Sequence, residues 1–392
     1  MTPAPTIPRA LALLLLGAPL TVSAQTAPAR TVKVGVIMPF SGVYAQIGEE
    51  GLRGFSLYLD SIGNRVAGRG IVVVREDEEA DPAVALRKAN KLISADRVDL
   101  LAGVVLTPSA YALAPVVEKA QVPLVVFNSL GNDLTRSRRT PWVFRASGSG
   151  WQFSNPFGTY VAQKVSKNVF LLGADYAFGH DSVNDFKASY TAAGGKVAGE
   201  VYTPLGSADF SPYLARIAAA RPDAIYAFLS GSDAVLFLKQ FAQFGLNRSV
   251  KLTVSGEMMD EKLLNSVGDA VVGAISVGPW VQNLPTAQNK IFVDAYRKKY
   301  GDTPGVFAER GWDTARVIVE ALKTTRGRTD DKPALLAALR GVRFQSPRGP
   351  FAFDPVTQNV VNTIYVRRVA KGQGGLVNVL VSSLGAFPDP GK

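Results

Sequence analysis

The sequence predicts an α/β protein made of two doubly wound parallel-sheet lobes. Strand-like and helix-like segments alternate through most of the chain, and the alternation lapses near residue 146 and begins afresh near residue 169. Alternation of this kind builds a parallel sheet with helices on both faces. The chain has 392 residues, beyond the roughly 250–300 at which a single core stops growing.

The elements follow in order. Arg9, the apolar run 10–16 and the small residues Val22-Ser23-Ala24 form the three-part pattern of a secretory signal over residues 1–24, with cleavage expected after Ala24. The apolar run is too short to cross a bilayer, and later apolar stretches are broken by Gly, Pro or polar residues, so a soluble periplasmic protein is expected. Without cysteine the chain has neither disulfides nor a thiol to carry lipid. Residues 32–38 read as a buried strand, followed by a Ser/Gly loop over 39–48 and a helix on Leu52, Phe55, Leu59 and Ile62. Strands are predicted at 71–74, 100–105, 124–127 and 143–145, and helices after Asp81-Pro82 and at 111–120.

The second run predicts strands at 169–172, 197–201, 224–229 and 250–254 and helices at 181–193, 213–220 and 234–244. Beyond Pro279 helices are predicted at 289–300, 312–323 and 332–339, then strand-like 349–353 and 363–369. The Pro- and Gly-rich tail after Leu384 reads as loose.

Several functions are argued against. Lys and Arg number 43 against 32 Asp and Glu, a net charge of +11. The basic residues are scattered, with no basic helix and no aromatic–basic alternation, so no nucleic-acid partner is expected. The single histidine, His180, reads as a helix-start residue. One histidine and no cysteine leave no histidine-based zinc site. No Gly-x-Ser-x-Gly elbow, dinucleotide fingerprint or phosphate loop is present. Neither a cofactor nor a metal is expected, and the chain does not read as an enzyme. The acidic run 76–79 with Asp81 lacks calcium-loop spacing and reads as a solvated turn.

Ligands of open parallel sheets bind beyond the carboxyl ends of the strands. That rule singles out loops 41–48, 106–109, 128–131, 174–179, 229–233 and 255–258. Thr107, Ser109, Asn128 and Ser129 place neutral donors there, suited to hold a carboxylate without a paired cation. Glu257 stands in the other lobe, where it would meet an ammonium. Tyr44, Phe127, Trp151 and Phe178 offer apolar walls.

Ordered markers run through nearly all of the chain after the leader: residues 34–42 (VGVIMPFSG) with 45–48 (AQIG), Asp77 then Asp81-Pro82, Leu101-Ala102-Gly103 before Thr107, Val143-Phe144-Arg145, residues 176–179 (YAFG), and Asp209-Phe210-Ser211. On these the chain resembles the type I periplasmic solute-binding proteins of ABC importers, in the branched-chain amino-acid (leucine/isoleucine/valine-binding) class. The resemblance implies three hinge crossings near Ala146, Gly278 and Val366. Lobe 1 would then comprise residues 31–146 plus 279–366 and lobe 2 residues 147–278 plus 367–392. It further implies a monomer that captures an amino acid or small organic carboxylate and docks on ABC permease subunits. A ligand sensor of the same fold, signalling to a membrane partner, is the alternative. In such proteins a hydroxyl at the place of Thr107 meets the ligand carboxylate, with Asn128, Ser129 and Leu130 alongside, and a glutamate at the place of Glu257 meets the ammonium. Ile47 and Phe178 stand where the amino-acid binders have tyrosines, and Trp151-Gln152 resembles a subgroup associated with aromatic or other organic acids. Ligand identity therefore stays open between leucine-like, aromatic and other carboxylates.

Overall fold

The computed structural model describes residues 1–6, 31–372 and 375–391. The leader assigned to 1–24, cleavage site included, lies outside the described residues apart from its first six. Among the described residues no helix is long and apolar enough to cross a membrane.

In the first lobe β1 (Val32–Met38), β2 (Arg65–Val66), β3 (Arg69–Asp77), β4 (Leu100–Gly103), β5 (Leu124–Val126) and β6 (Val143–Arg145) alternate with α1 (Ala45–Ser61), α2 (Pro82–Ser94) and α3 (Thr107–Ala120). The strands form one sheet, ordered β2-β3-β1-β4-β5-β6 and parallel except for the β2–β3 hairpin. Val34, Val36, Ile37 and Met38 of β1 are fully buried, as expected for a central strand covered on both faces. Asp81 caps α2, accepting from the N–H groups of Ala83 (2.7 Å) and Val84 (3.0 Å), and Pro82 occupies the first turn, where its missing N–H is not needed.

The second lobe takes α4 (Gly150–Lys164), β7 (Asn168–Ala174), α5 (Ala177–Ala192), β8 (Lys196–Thr203), α6 (Ser211–Ala220), β9 (Ala224–Phe228), α7 (Gly231–Gln243), β10 (Lys251–Ser255), α8 (Glu261–Val267) and β11 (Ile275–Gly278). The chain then returns to the first lobe with α9 (Ala287–Tyr300), α10 (Val306–Thr324), α11 (Lys332–Arg340) and the hairpin β12 (Arg343–Ser346)–β13 (Gly349–Ala352). It ends in the second with β14 (Asn362–Gly372) and β15 (Gly375–Phe387), giving a sheet ordered β15-β14-β11-β10-β9-β7-β8 whose β14 and β15 are antiparallel. Two separate cores record this path. Trp280, Phe292, Trp312, Phe351 and Val360 pack with the first sheet, whereas Ile364, Val366 and Val369 pack with the second. The chain thus crosses between lobes three times: between β6 and α4, between Gly278 and Trp280, and between Val360 and Asn362.

Three expectations are corrected. Helices start earlier than their apolar periodicity: α3 at Thr107, α5 at Ala177 and α10 at Val306. A first turn offers one or two large apolar positions at most, as Phe178 does in α5 and Val306 and Phe307 do in α10, too few to show a period. The acidic run is no solvated turn. Glu78 is fully buried and accepts from the Val105 N–H at 2.7 Å, Asp77 accepts from Phe40 N–H at 2.9 Å, and Glu76 holds Lys88 and Lys91 at 2.7 and 2.5 Å. The tail is not loose. Its first residues, 385–387, complete β15, and the buried Asp389 beyond it pairs with Arg136 at 3.1 Å and stands 3.7 Å from the Arg145 guanidinium.

The packing of α10 on α1 fixes the cleft. A Cβ on Gly54 would stand 1.9 Å from the Ala308 carbonyl oxygen, and one on Gly311 would stand 2.0 Å from that of Gly51. Only glycine permits this approach, and it sets the position of Arg310 beside Gly311. Gly311→Ala is expected to lower unfolding stability by about 1–3 kcal/mol, the usual cost of overpacking, measured by urea titration.

Candidate ligand-binding site

The carboxyl ends of both sheets face one another across a gap that is nearly shut. A helical turn over Gly42–Tyr44 of the first lobe presses on the start of α7 in the second. Gly231 there has φ +59°, and a Cβ on it would stand 2.2 Å from the Val43 carbonyl oxygen. Tyr44 is buried at this contact.

Within the gap lies a cavity of about 20 Å³, room for about one water molecule. Leu130, Phe153, Phe178, Val277 and Pro279 give it apolar walls. Its charged residues are two arginines, Arg310 and Arg367, and one glutamate, Glu257. Arg310 rises from the first turns of α10 and spans the gap. Its Nη1 donates to Glu257 Oε1 of the second lobe at 2.8 Å and to Asn128 Oδ1 of the first. Its buried Nε has no partner among the described residues. Burial pushes the Glu257 carboxyl above its ordinary range, opposed by the adjacent guanidinium, and pulls the Arg310 guanidinium down. Arg367 is fully engaged, donating to the carbonyls of Gly256 (2.8 Å) and Trp280 (3.2 Å) and to Ser276 Oγ (3.3 Å). Among the described residues the cavity's unpartnered donors are thus Arg310 Nε and the Ser255 hydroxyl, and a cation with a spare N–H among apolar walls suits the carboxylate of an otherwise apolar molecule.

The residues singled out from sequence fall into three groups. Phe178 and Glu257 line the cavity. Thr107, Asn128 and Ser129 come together on the first lobe: Thr107 Oγ1 accepts from Gly131 N–H at 3.2 Å and from Ser129 Oγ at 3.4 Å, and Asn128 accepts from Arg310. Ser109 is buried in α3 near this group, its hydroxyl beside the buried Glu78 carboxyl. Tyr44 and Trp151 do not line the cavity. Trp151 is half-buried on the first turn of α4, its N–H donating to Asn132 Oδ1 at 3.0 Å. Gln152 is a hinge residue, accepting from the N–H of Ser149 (2.8 Å) and donating to the carbonyl of Val360 (2.8 Å). Phe127 is core, packed against Gly51. Two expectations change in the light of this geometry: the first-lobe donors are not without a cation, and the partner of Glu257 is a guanidinium of the protein itself.

Sequence reasoning missed Arg310, and with it Ser154, Ser182 and Tyr226, which also line the cavity, as does Ser255 of the singled-out loop 255–258. A signal for Arg310 existed. It lies three residues after Phe307 and four before Thr314, on the buried stripe of α10. A charge on such a stripe is rare unless paired.

The family profile of periplasmic binding proteins matches residues 31–374. The chain belongs to the periplasmic binding protein family. This periplasmic binding protein is 33% identical over 380 residues to Leu/Ile/Val-binding protein homolog 6 of Brucella melitensis biotype 1, covering 95% of this chain and 96% of that one. It is 39% identical, with a TM-score of 0.88, to a solute-binding protein of an ABC transporter from Rhodopseudomonas palustris BisB5 in complex with 3,4-dihydroxybenzoic acid; 92% of this chain and 99% of that one are covered. A second R. palustris ABC transporter solute-binding protein, in complex with benzoate, is 32% identical with a TM-score of 0.87, covering 92% and 98%. The periplasmic binding protein is thus of the ABC solute-binding, Leu/Ile/Val-binding type, whose members bind ligands and do not transform them.

Proposed function

We propose that this protein captures an aromatic carboxylate between its lobes and presents it to ABC permease subunits for import. The carrying observation is Arg310, a buried guanidinium with an unpartnered Nε in a cavity walled by Phe153, Phe178 and Leu130. A carboxylate takes the spare N–H and an aromatic ring takes the walls. Glu257, already paired with Arg310, offers little to an ammonium. The ligands of the two R. palustris proteins support the same reading.

The cavity is too small for a benzoate as it stands. Binding therefore begins with the lobes apart, and closure completes the shell, a hinge motion about the three crossings. The test is calorimetric titration of purified protein with benzoate, leucine and valine. Benzoate is expected to bind and the amino acids to give no heat; the reverse pattern would overturn the proposal.

Glu257→Gln separates the ligand classes further. Glu257 already holds Arg310 Nη1, so a ligand carboxylate competes with it for the guanidinium and the amide variant removes that competitor. Benzoate affinity is expected to hold or rise. A ligand ammonium would instead lose a charge-assisted bond worth about 1.5–3 kcal/mol, and affinity would drop about tenfold or more.

A further inference from the structure

Three hydroxyls from three elements meet at the cavity wall: Ser154 of α4, Ser182 of α5 and Tyr226 of β9. Ser154 Oγ lies 3.1 Å from Ser182 Oγ and 3.0 Å from the Tyr226 oxygen, and Ser182 Oγ lies 2.7 Å from the Tyr226 oxygen. All three side chains are buried, with relative exposures of 2%, 0% and 0%. The surroundings are aromatic: Phe186 stacks on Tyr226 with ring centroids 3.9 Å apart, and Phe157 meets it edge-on at 6.2 Å.

Each hydroxyl has one hydrogen to give and two lone pairs to receive with. Three mutual bonds consume all three hydrogens and half of the lone pairs. What remains is acceptor capacity alone, with a lone pair left on each oxygen. Burial pushes the Tyr226 phenol up to about 12, so it keeps its proton across physiological pH. A group that satisfies this wall must donate a hydrogen bond.

We infer that the trio of Ser154, Ser182 and Tyr226 is a specificity element that accepts the hydrogen of a ring hydroxyl, making the preferred ligand a benzoate hydroxylated away from its carboxylate. The inference rests on the aromatic-carboxylate reading. Arg310 and the trio line one cavity, so a carboxylate held by Arg310 turns the far side of its ring toward the trio. A hydroxyl beside the carboxylate stays at the Arg310 end. A purely structural tie among α4, α5 and β9 would confer no preference among substituted benzoates.

The experiment is calorimetric titration of the full chain and of Tyr226→Phe and Ser182→Ala with benzoate, 2-, 3- and 4-hydroxybenzoate and 4-fluorobenzoate. One hydrogen bond gained in a buried site is expected to tighten binding about tenfold. The unsubstituted chain is expected to hold 3- or 4-hydroxybenzoate about tenfold more tightly than benzoate. The 2-hydroxy and 4-fluoro acids, lacking a donor at the far side, should stay within about threefold of benzoate. In both variants the ratio of 3- or 4-hydroxybenzoate affinity to benzoate affinity should collapse toward one. Two variants guard against one that folds poorly, and far-ultraviolet circular dichroism checks each. Equal affinity of the full chain for benzoate and its 3- and 4-hydroxy forms, or a preference that survives in both variants, overturns the inference and leaves the aromatic-carboxylate reading standing. Failure of every benzoate to bind overturns that reading as well.

Discussion

Replacing Arg310 is expected to cost the protein its carboxylate affinity, by about a hundredfold or more. Removing one partner of a buried, hydrogen-bonded charge pair typically costs about 2–5 kcal/mol, and here the same group is proposed to hold the ligand. The single variant Arg310→Ala has a complication. It leaves Glu257, 6% exposed, with a buried charge and no counter-ion, so the fold itself weakens. The double variant Arg310→Gln with Glu257→Gln removes both charges at nearly constant volume and is expected to melt close to the parent. Calorimetry on that double variant with benzoate is the decisive measurement. No measurable binding is expected; affinity within about threefold of the parent would show that the carboxylate is held elsewhere.

The second large effect is on pH dependence. Glu50 of α1 and Asp260 at the start of α8 come from opposite lobes and are buried against the same short segment. Gly305 N–H donates to Glu50 Oε1 at 2.5 Å, and Val306 N–H donates to Asp260 Oδ2 at 2.8 Å. Glu261 adjoins them, hydrogen-bonded by Asn378 at 2.9 Å. Lys262 and Arg367 are the cations facing this group, Asp302 is paired with Lys262, and Tyr296 and Arg53 complete the titratable neighbours. Burial is the main cause that raises all three carboxyls: Glu50 well above its ordinary value, Asp260 above its own, and Glu261 to about 7. A carboxyl whose folded pKa is raised stabilises the fold fully below its unfolded pKa, near about 4, and loses that contribution as pH climbs through the folded value. Stability should therefore fall from about pH 4 to about pH 7, by several degrees in Tm. The carboxyls held low, such as Asp77 and Asp389, act in the opposite sense but only at more acidic pH. Glu50→Gln keeps the acceptor for Gly305 N–H and removes one titrating group. Scanning calorimetry across that range should show a shallower decline in the variant. An identical slope would mean that Glu50 is ionised in the folded protein.

The legible and illegible parts of the sequence divide along physical lines. Strand and helix alternation was readable because buried parallel strands are continuous apolar runs, as in β1 and β9, and because Asp81-Pro82 announces a helix in local chemistry. The loops at the strand tips followed from topology alone, and Phe178 and Glu257 came with them. Arg310 did not. The apolar periodicity of α10 was read from Trp312 onward, which left Arg310 outside any element, although α10 begins at Val306. Its role depends on α10, from one stretch of chain, meeting loops from two others, and no local pattern encodes that meeting. The trio of hydroxyls was hidden for the same reason. Ser154, Ser182 and Tyr226 are separated by tens of residues on three elements, and no local pattern ties them together.

The interleaving of the two cores bears on how the chain acquires its structure as it emerges amino end first. Val360 belongs to one core and Val369 to the other. Neither can be completed until nearly the whole polypeptide is free, so the early lobe cannot settle independently in the way that sequential domains do. A nascent chain of this topology stays unfinished until late, the condition a polypeptide needs if it is to be threaded through a narrow channel before it compacts.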